Sequence, residues 1–196
     1  MNLTAHLVRH KDAIVDRWFD MVAKTYPADT AGFLKNKKDP FANPVRKNTL
    51  AGMKTVVAEL FGGMDHEIIR KDLDPAIRIR AVQQFSPSEA VGFVFFLKTI
   101  VRDLLHKKYP QLLTDPEILP AVLDLESKID EIGLIAVDIY VGCREKIFDL
   151  KAKVERNTVY KAFSRAGLIV EDPEEGPHIR PVNINTMSCI VPETYI

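Results

Sequence analysis

Residues 118–154 read ILPAVLDLESKIDEIGLIAVDIYVGCREKIFDLKAKV, and this stretch decides the fold. Its apolar side chains recur at steps of four and three residues, with two successive steps of four around Cys143. The row runs through Ile118, Val122, Leu125, Ile129, Ile132, Ala136, Ile139, Cys143, Ile147, Leu150 and Val154. This spacing is typical of a helix that packs along one face in a heptad-like seam with one stutter. It therefore predicts one long C-terminal helix.

The two halves of this helix differ in how their apolar residues are distributed. Between Ile129 and Phe148 the helix is apolar nearly all round, which predicts a position at the centre of the core. Beyond Leu150 only one face is apolar and the other faces are charged. We expect this end to project from the body and to pair with a partner. Ala166 and Gly167 are expected to close the helix.

Shorter helical blocks, separated by turn residues, precede the long helix. Their apolar spacing places them at about residues 3–26, 44–61, 65–84 and 87–109. A polar loop is predicted at residues 27–43. Asn43 before Pro44 is a typical helix start, and Ser86 with Glu89 has the pattern of a capping box. The whole pattern predicts an all-α bundle, and 196 residues are enough for one core without disulfides or metal.

The C-terminal tail differs in composition from the helical part. Residues 169–196 hold four of the twelve prolines and open with an acidic run. Apolar and polar residues alternate further on, which predicts an extended segment that is docked. We expect Ile184, Ile190 and Val191 to dock onto the helical body or onto a second protomer. The sequence thus predicts two parts, a helical domain at residues 1–168 and an extended tail at residues 169–196.

Composition and charge argue against several classes of function. The chain has 27 basic and 27 acidic residues, so no net charge draws it to nucleic acid or to an anionic membrane. Its most apolar stretch, residues 91–105, is interrupted by Lys98, Arg102 and Asp103, so we expect no membrane insertion. The N-terminal residues lack the apolar region of a signal peptide, and two cysteines do not make a secreted disulfide framework. We therefore expect a cytoplasmic protein.

The titratable residues do not combine into a catalytic pattern. There is no glycine-rich phosphate-binding motif and no nucleophile elbow, so we expect no enzyme activity and no resident cofactor. His6 and His10 stand one helical turn apart, but no third ligand is obvious, and we expect no metal. His106 leaves a haem-linked sensor open as an alternative. Cys143 leaves a redox-linked sensor open, although its place on the apolar seam favours a buried hydrophobe.

Three segments of the chain share their pattern with a group of bacterial regulators. They are residues 14–19 (IVDRWF) with 25–27 (TYP), residues 39–44 (DPFANP), and residues 154–160 (VERNTVY) with 165–168 (RAGL). Together they resemble the N-terminal domain of the RsbRD-type regulators of the stress-response signalling complex, over about residues 10–168. The resemblance implies a globin-like helical sensor domain without haem, usually dimeric, whose last helix is the output.

This resemblance sets the functional expectation. Related regulators carry a STAS domain after the last helix, and a tail of about thirty residues is too short for that fold. We therefore expect a stand-alone sensor or adaptor that acts in bacterial signalling by forming a homodimer and contacting other proteins. The dimer contact is expected at Leu150, Val154, Thr158 and Lys161. The alternatives are a haem- or redox-linked sensor, and an accessory protein of a respiratory or sulfite-reduction complex.

Overall fold

All regular structure in the described part of the chain is helical. The computed structural model describes residues 3–36, 43–110 and 118–168. The α-helices are α1 (Leu3–Val8), α2 (Lys11–Ala23), α3 (Ala28–Asn36), α4 (Pro44–Leu60), α5 (His66–Val82), α6 (Pro87–Val91), α7 (Phe96–Lys108) and α8 (Leu119–Arg165). A short 3-10 helix, Gly92–Phe95, joins α6 to α7. The predicted all-α fold with one long C-terminal helix is confirmed.

The chain divides into two units, Met1–Glu145 and Lys146–Ile196. Unit one contains α1 to α7 and the first part of α8, and unit two contains the rest of α8. The division into a domain at 1–168 and a tail at 169–196 stays a prediction. The tail, its extended conformation and its docking residues lie outside the described residues.

Local capping explains where several helices begin. The Asn43 side chain accepts a hydrogen bond of 3.0 Å from the Arg46 amide, and Pro44 occupies the first turn, where its missing N–H is not needed. At the start of α6 the Ser86 hydroxyl accepts from the Glu89 amide while the Glu89 carboxylate accepts from the Ser86 amide. Both predicted helix starts are confirmed.

The core of unit one is built on large side chains that are fully enclosed. Trp18 on α2 is 0% exposed, and its indole N–H donates to the Phe93 carbonyl at 2.7 Å. Helices α4 and α5 approach closely at Gly52, where a Cβ atom would lie only 2.6 Å from the Asp72 carbonyl oxygen. Thr55 strengthens the same contact, because its hydroxyl donates to the Asp72 carboxylate at 2.6 Å.

The structure differs from the sequence interpretation in two of the early segments. The predicted loop at 27–43 contains the helix α3, which has one buried residue, Leu34. The predicted first block is two helices, because a turn separates α1 from α2. In this turn the His10 amide donates to the Leu7 carbonyl. Short helices such as α1 and α3 depend on tertiary packing, which the spacing of apolar residues in the sequence does not reveal.

The middle of α8 also differs from its prediction. It was expected to be enclosed nearly all round, but Leu134, Val137 and Val141 are exposed. The seam residues Ile129, Ile132, Ala136, Ile139 and Cys143 are buried, as predicted. The first part of α8 therefore has one buried and one exposed apolar face.

Ion pairs fasten α8 to its neighbours in unit one. Arg70 on α5 contacts Asp138 at 3.1 Å, and Lys98 on α7 contacts Asp130 at 2.7 Å. The strongest geometry is that of Arg102 and Glu126, which share two parallel hydrogen bonds of 2.7 and 2.9 Å. These hydrogen bonds, opposed by partial burial, lower the pKa of the Glu126 carboxyl.

We expect Glu126 to make the stability of the protein pH-dependent. Its folded-state pKa lies below the usual value of 4.5, so the pair stabilises fully above that pH and is lost as the pH falls through the folded pKa. Glu126→Gln should cost about 0.5–1 kcal/mol near neutral pH, and this cost should shrink as the pH falls below 4.5 and through the folded-state pKa. Thermal melting of both proteins across this range measures the difference. A constant difference between them at every pH would contradict the assignment.

Candidate functional site

Two regions of the chain have features that packing of the fold does not require. The first is the end of α8 in unit two. Leu150 and Val154, one helical turn apart, are 63% and 64% exposed. Lys151 and Glu155 line the same open stretch of the helix surface. Their place at successive heptad core positions makes this end of α8 a candidate contact surface.

The apolar row continues through this end of α8 in heptad register. Ile147, Val154 and Lys161 occupy one core position, and Leu150, Asn157 and Ser164 occupy the other. Only the first part of this row is apolar. The positions that flank the row are mostly basic, namely Lys146, Lys151, Lys153 and Arg165.

The predicted contact residues Thr158 and Lys161 are both exposed on this helix. Thr158 uses its hydroxyl within its own helix, where it donates to the Val154 carbonyl at 2.8 Å. Gly167 ends the helix with φ of +65°, and the Leu168 amide donates back to the Phe163 carbonyl at 2.9 Å. The predicted closure of the helix at Gly167 is confirmed.

The other predicted site residues lie in unit one. His106 is exposed in the last turn of α7, and Cys143 is buried on the inner face of α8. The structure gives no contact between the two side chains. The proposed haem and redox roles stay predictions, and Cys189 lies outside the described residues.

His6 and His10 do not stand on one continuous helix. Both contact Tyr109, His6 by ring packing at 4.6 Å between centroids and His10 by a 3.1 Å hydrogen bond to the phenol oxygen. Within residues 3–36, 43–110 and 118–168, no group of three or more His, Cys, Asp or Glu side chains is placed to hold a metal ion. These histidines therefore attach α1 to the end of α7.

The second region surrounds Arg80 on α5, which the sequence interpretation missed. Arg80 is 2% exposed. Its Nη2 donates to the Thr25 hydroxyl at 3.0 Å and to the Glu89 backbone carbonyl at 2.9 Å. Among the described residues, its Nε and Nη1 have no hydrogen-bond partner. The signal for this site was an arginine within the apolar spacing of α5, between Ile77 and Ala81.

Aromatic rings enclose the Arg80 guanidinium. Its central carbon lies 4.3 Å from the ring centroid of Phe85, 5.1 Å from that of Tyr26 and 5.3 Å from that of Phe93. Such cation–π contacts offset only part of the cost of removing a charge from water. Burial accordingly lowers the pKa of Arg80, and the nearby Tyr26 opposes this.

A cleft opens beside this cluster. It measures about 360 Å³ and is lined mainly by Phe85, Phe93 and Phe96, together with Thr25 and Glu89. Two of these residues, Thr25 and Glu89, hold the Arg80 guanidinium. The volume is within the range of small-molecule sites, which are typically apolar with a few polar groups.

The segment that carries Phe85 is bonded to α8. The Tyr140 hydroxyl donates to the Phe85 carbonyl at 2.8 Å, and Arg144 Nη1 donates to the Ala81 carbonyl at 3.3 Å. Gln84, between them, has φ of +63°, a left-handed conformation that is unfavourable for a residue with a side chain. The Arg80 cluster and α8 thus meet at one strained turn.

These features define an all-α domain with a long C-terminal helix, an exposed apolar helix end and a buried cation. A family model described as the RsbT co-antagonist protein rsbRD N-terminal domain matches residues 12–153, which is 142 of the 196 residues. The chain therefore belongs to this family of regulatory signalling domains, and the resemblance seen in the sequence is confirmed. No curated protein and no solved structure matches the chain. None of the described helices combines the length and apolar content that crossing a bilayer requires.

Proposed function

We propose that this chain is a regulatory adaptor that forms a parallel homodimer through the end of α8. The observation that carries the proposal is the exposure of Leu150 and Val154, at 63% and 64%, in a row with heptad spacing. In water such a row is stabilised by packing against a second apolar helix. A second copy of this chain supplies one in matching register.

The polar residues in the row favour a pair of helices. Asn157, Lys161 and Ser164 occupy successive core positions, and polar residues at core positions specify register and oligomer state at a cost in stability. In a parallel pair, Lys146 of one copy faces Lys151 of the other, so like charges flank the apolar contact. The proposed dimer is therefore weak and reversible, which suits a regulated contact.

The like charges predict an unusual salt dependence for the dimer. Raising the salt concentration from about 50 mM to about 500 mM screens the lysines and should tighten the dimer about fivefold. Lys151→Glu replaces repulsion by attraction and should reverse the trend. Sedimentation equilibrium at the two salt concentrations measures both effects. A wild-type dimer that weakens with salt would instead indicate that α8 pairs with an acidic surface.

A further inference from the structure

We propose that the cleft beside Arg80 binds a small monocarboxylate with an apolar body, and that α8 senses its arrival through Phe85. The binding step stands independently of the dimer. Only the consequence for dimerisation rests on the proposed function.

The buried cation is the first reason. Arg80 is 2% exposed and, among the described residues, has no carboxylate as a hydrogen-bond partner. Its Nε and Nη1 atoms are buried without any described partner. A buried charge is costly unless it is paired and hydrogen-bonded. Arg80 does not itself line the cleft, so an entering carboxylate would reach these N–H groups and accept hydrogen bonds from them once the Phe85 ring moves aside.

The lining of the cleft sets the class of ligand. The cleft measures about 360 Å³, and Phe93 and Phe96 remain as its apolar walls when the Phe85 ring moves, which fits an aromatic or short aliphatic body. The Glu89 side chain also lines the cleft, and its carboxylate is held by Ser86. A second negative charge would face this group, so dianions such as phosphate are disfavoured.

The turn at Phe85 links the site to α8. The Phe85 ring covers the guanidinium at 4.3 Å, and its backbone carbonyl accepts the hydrogen bond from Tyr140. A carboxylate that reaches Arg80 takes the place of the Phe85 ring. In the proposed bound state the displaced ring also turns the Phe85 backbone, next to Gln84 with its left-handed conformation. The hydrogen bond to Tyr140 then shifts with it.

Benzoate is the probe that tests binding, titrated by calorimetry and by amide NMR shifts of the full chain. We expect saturable binding of benzoate, at least tenfold weaker binding of the neutral amide benzamide, and no binding of phosphate. Arg80→Met should weaken benzoate binding about tenfold or more. Arg78→Met, which removes an exposed arginine paired with Asp74 on the same helix, should leave it unchanged.

The Arg80→Met variant should fold, because an apolar side chain of similar length replaces an unpaired buried charge. If its circular dichroism shows unfolding, Arg80→Lys provides the test instead, with at least a fivefold loss of benzoate affinity expected from the lost guanidinium geometry. Absence of benzoate binding to the wild type, or equal binding by an Arg80 variant that is folded, overturns the proposal.

Tyr140→Phe tests the link to α8. In the wild type we expect benzoate to change the dimer dissociation constant. Tyr140→Phe should retain benzoate binding within about twofold and abolish this change. Benzoate binding to a chain that stays monomeric would leave the site standing and refute the proposed dimer. A chain that dimerises but does not bind benzoate would leave the proposed dimer standing and refute the proposed site. If benzoate changes the dimer dissociation constant of Tyr140→Phe as much as that of the wild type, the proposed route through Tyr140 is wrong.

Discussion

Replacing Gly52 by alanine should destabilise the protein by about 3 kcal/mol, although alanine is normally the better helix former. The added Cβ atom would lie 2.6 Å from the Asp72 carbonyl oxygen, which is backbone and cannot rotate away. Helices α4 and α5 must therefore separate, and the hydrogen bond from Thr55 to Asp72 is strained with them. Urea denaturation followed by circular dichroism measures the free energy of unfolding.

Gly142→Ala is the matched control for this change. Gly142 also lies inside a helix, but no atom outside its local backbone approaches its Cβ position within 4 Å. The substitution should stabilise the protein by about 0.5–1 kcal/mol, the usual gain from glycine to alanine in a helix. If both substitutions stabilise the protein equally, α4 and α5 are further apart at Gly52 than in this structure.

Much of the fold follows from local patterns in the sequence. The seam of α8 and the starts at Asn43 and Ser86 were predictable, because each depends on residues within a few positions of one another. The end at Gly167 was predictable for the same reason, since glycine favours the left-handed conformation that closes the helix. The family resemblance rested on such local patterns too.

The features that were missed depend on contacts between distant segments. Helix α3 is held by Leu34 and by the Arg46 guanidinium, which donates to the Leu34 carbonyl at 3.0 Å. The site at Arg80 needs Thr25 from the turn after α2 and Phe93 from the 3-10 helix, so an arginine in an apolar spacing was its only signal in the sequence. The exposure of Leu134 depends on which faces of α8 its neighbours cover.

Leu150→Glu combined with Val154→Glu should abolish the proposed dimer, the largest functional effect that we expect. Each chain would place two charges in the apolar part of the row, and four carboxylates would face one another in the pair. The dissociation constant should rise at least about a hundredfold. The helix itself should persist in the monomer, because glutamate is a good helix former.

Val159→Glu is the matched control for the double variant. Val159 is 43% exposed on the same end of α8, but it lies on the face opposite the row. Its substitution should leave the dissociation constant within about twofold, since the charge stays in water. Loss of the dimer in Val159→Glu, with the double variant unaffected, would assign the contact to the opposite face.

The most direct test of the account is sedimentation equilibrium of the wild-type chain and these variants, over about 1–100 µM protein. We predict reversible dimerisation of the wild type and of Val159→Glu, and a monomer throughout for the double variant. A wild-type chain that stays monomeric across this range would contradict the proposal that the end of α8 forms a dimer.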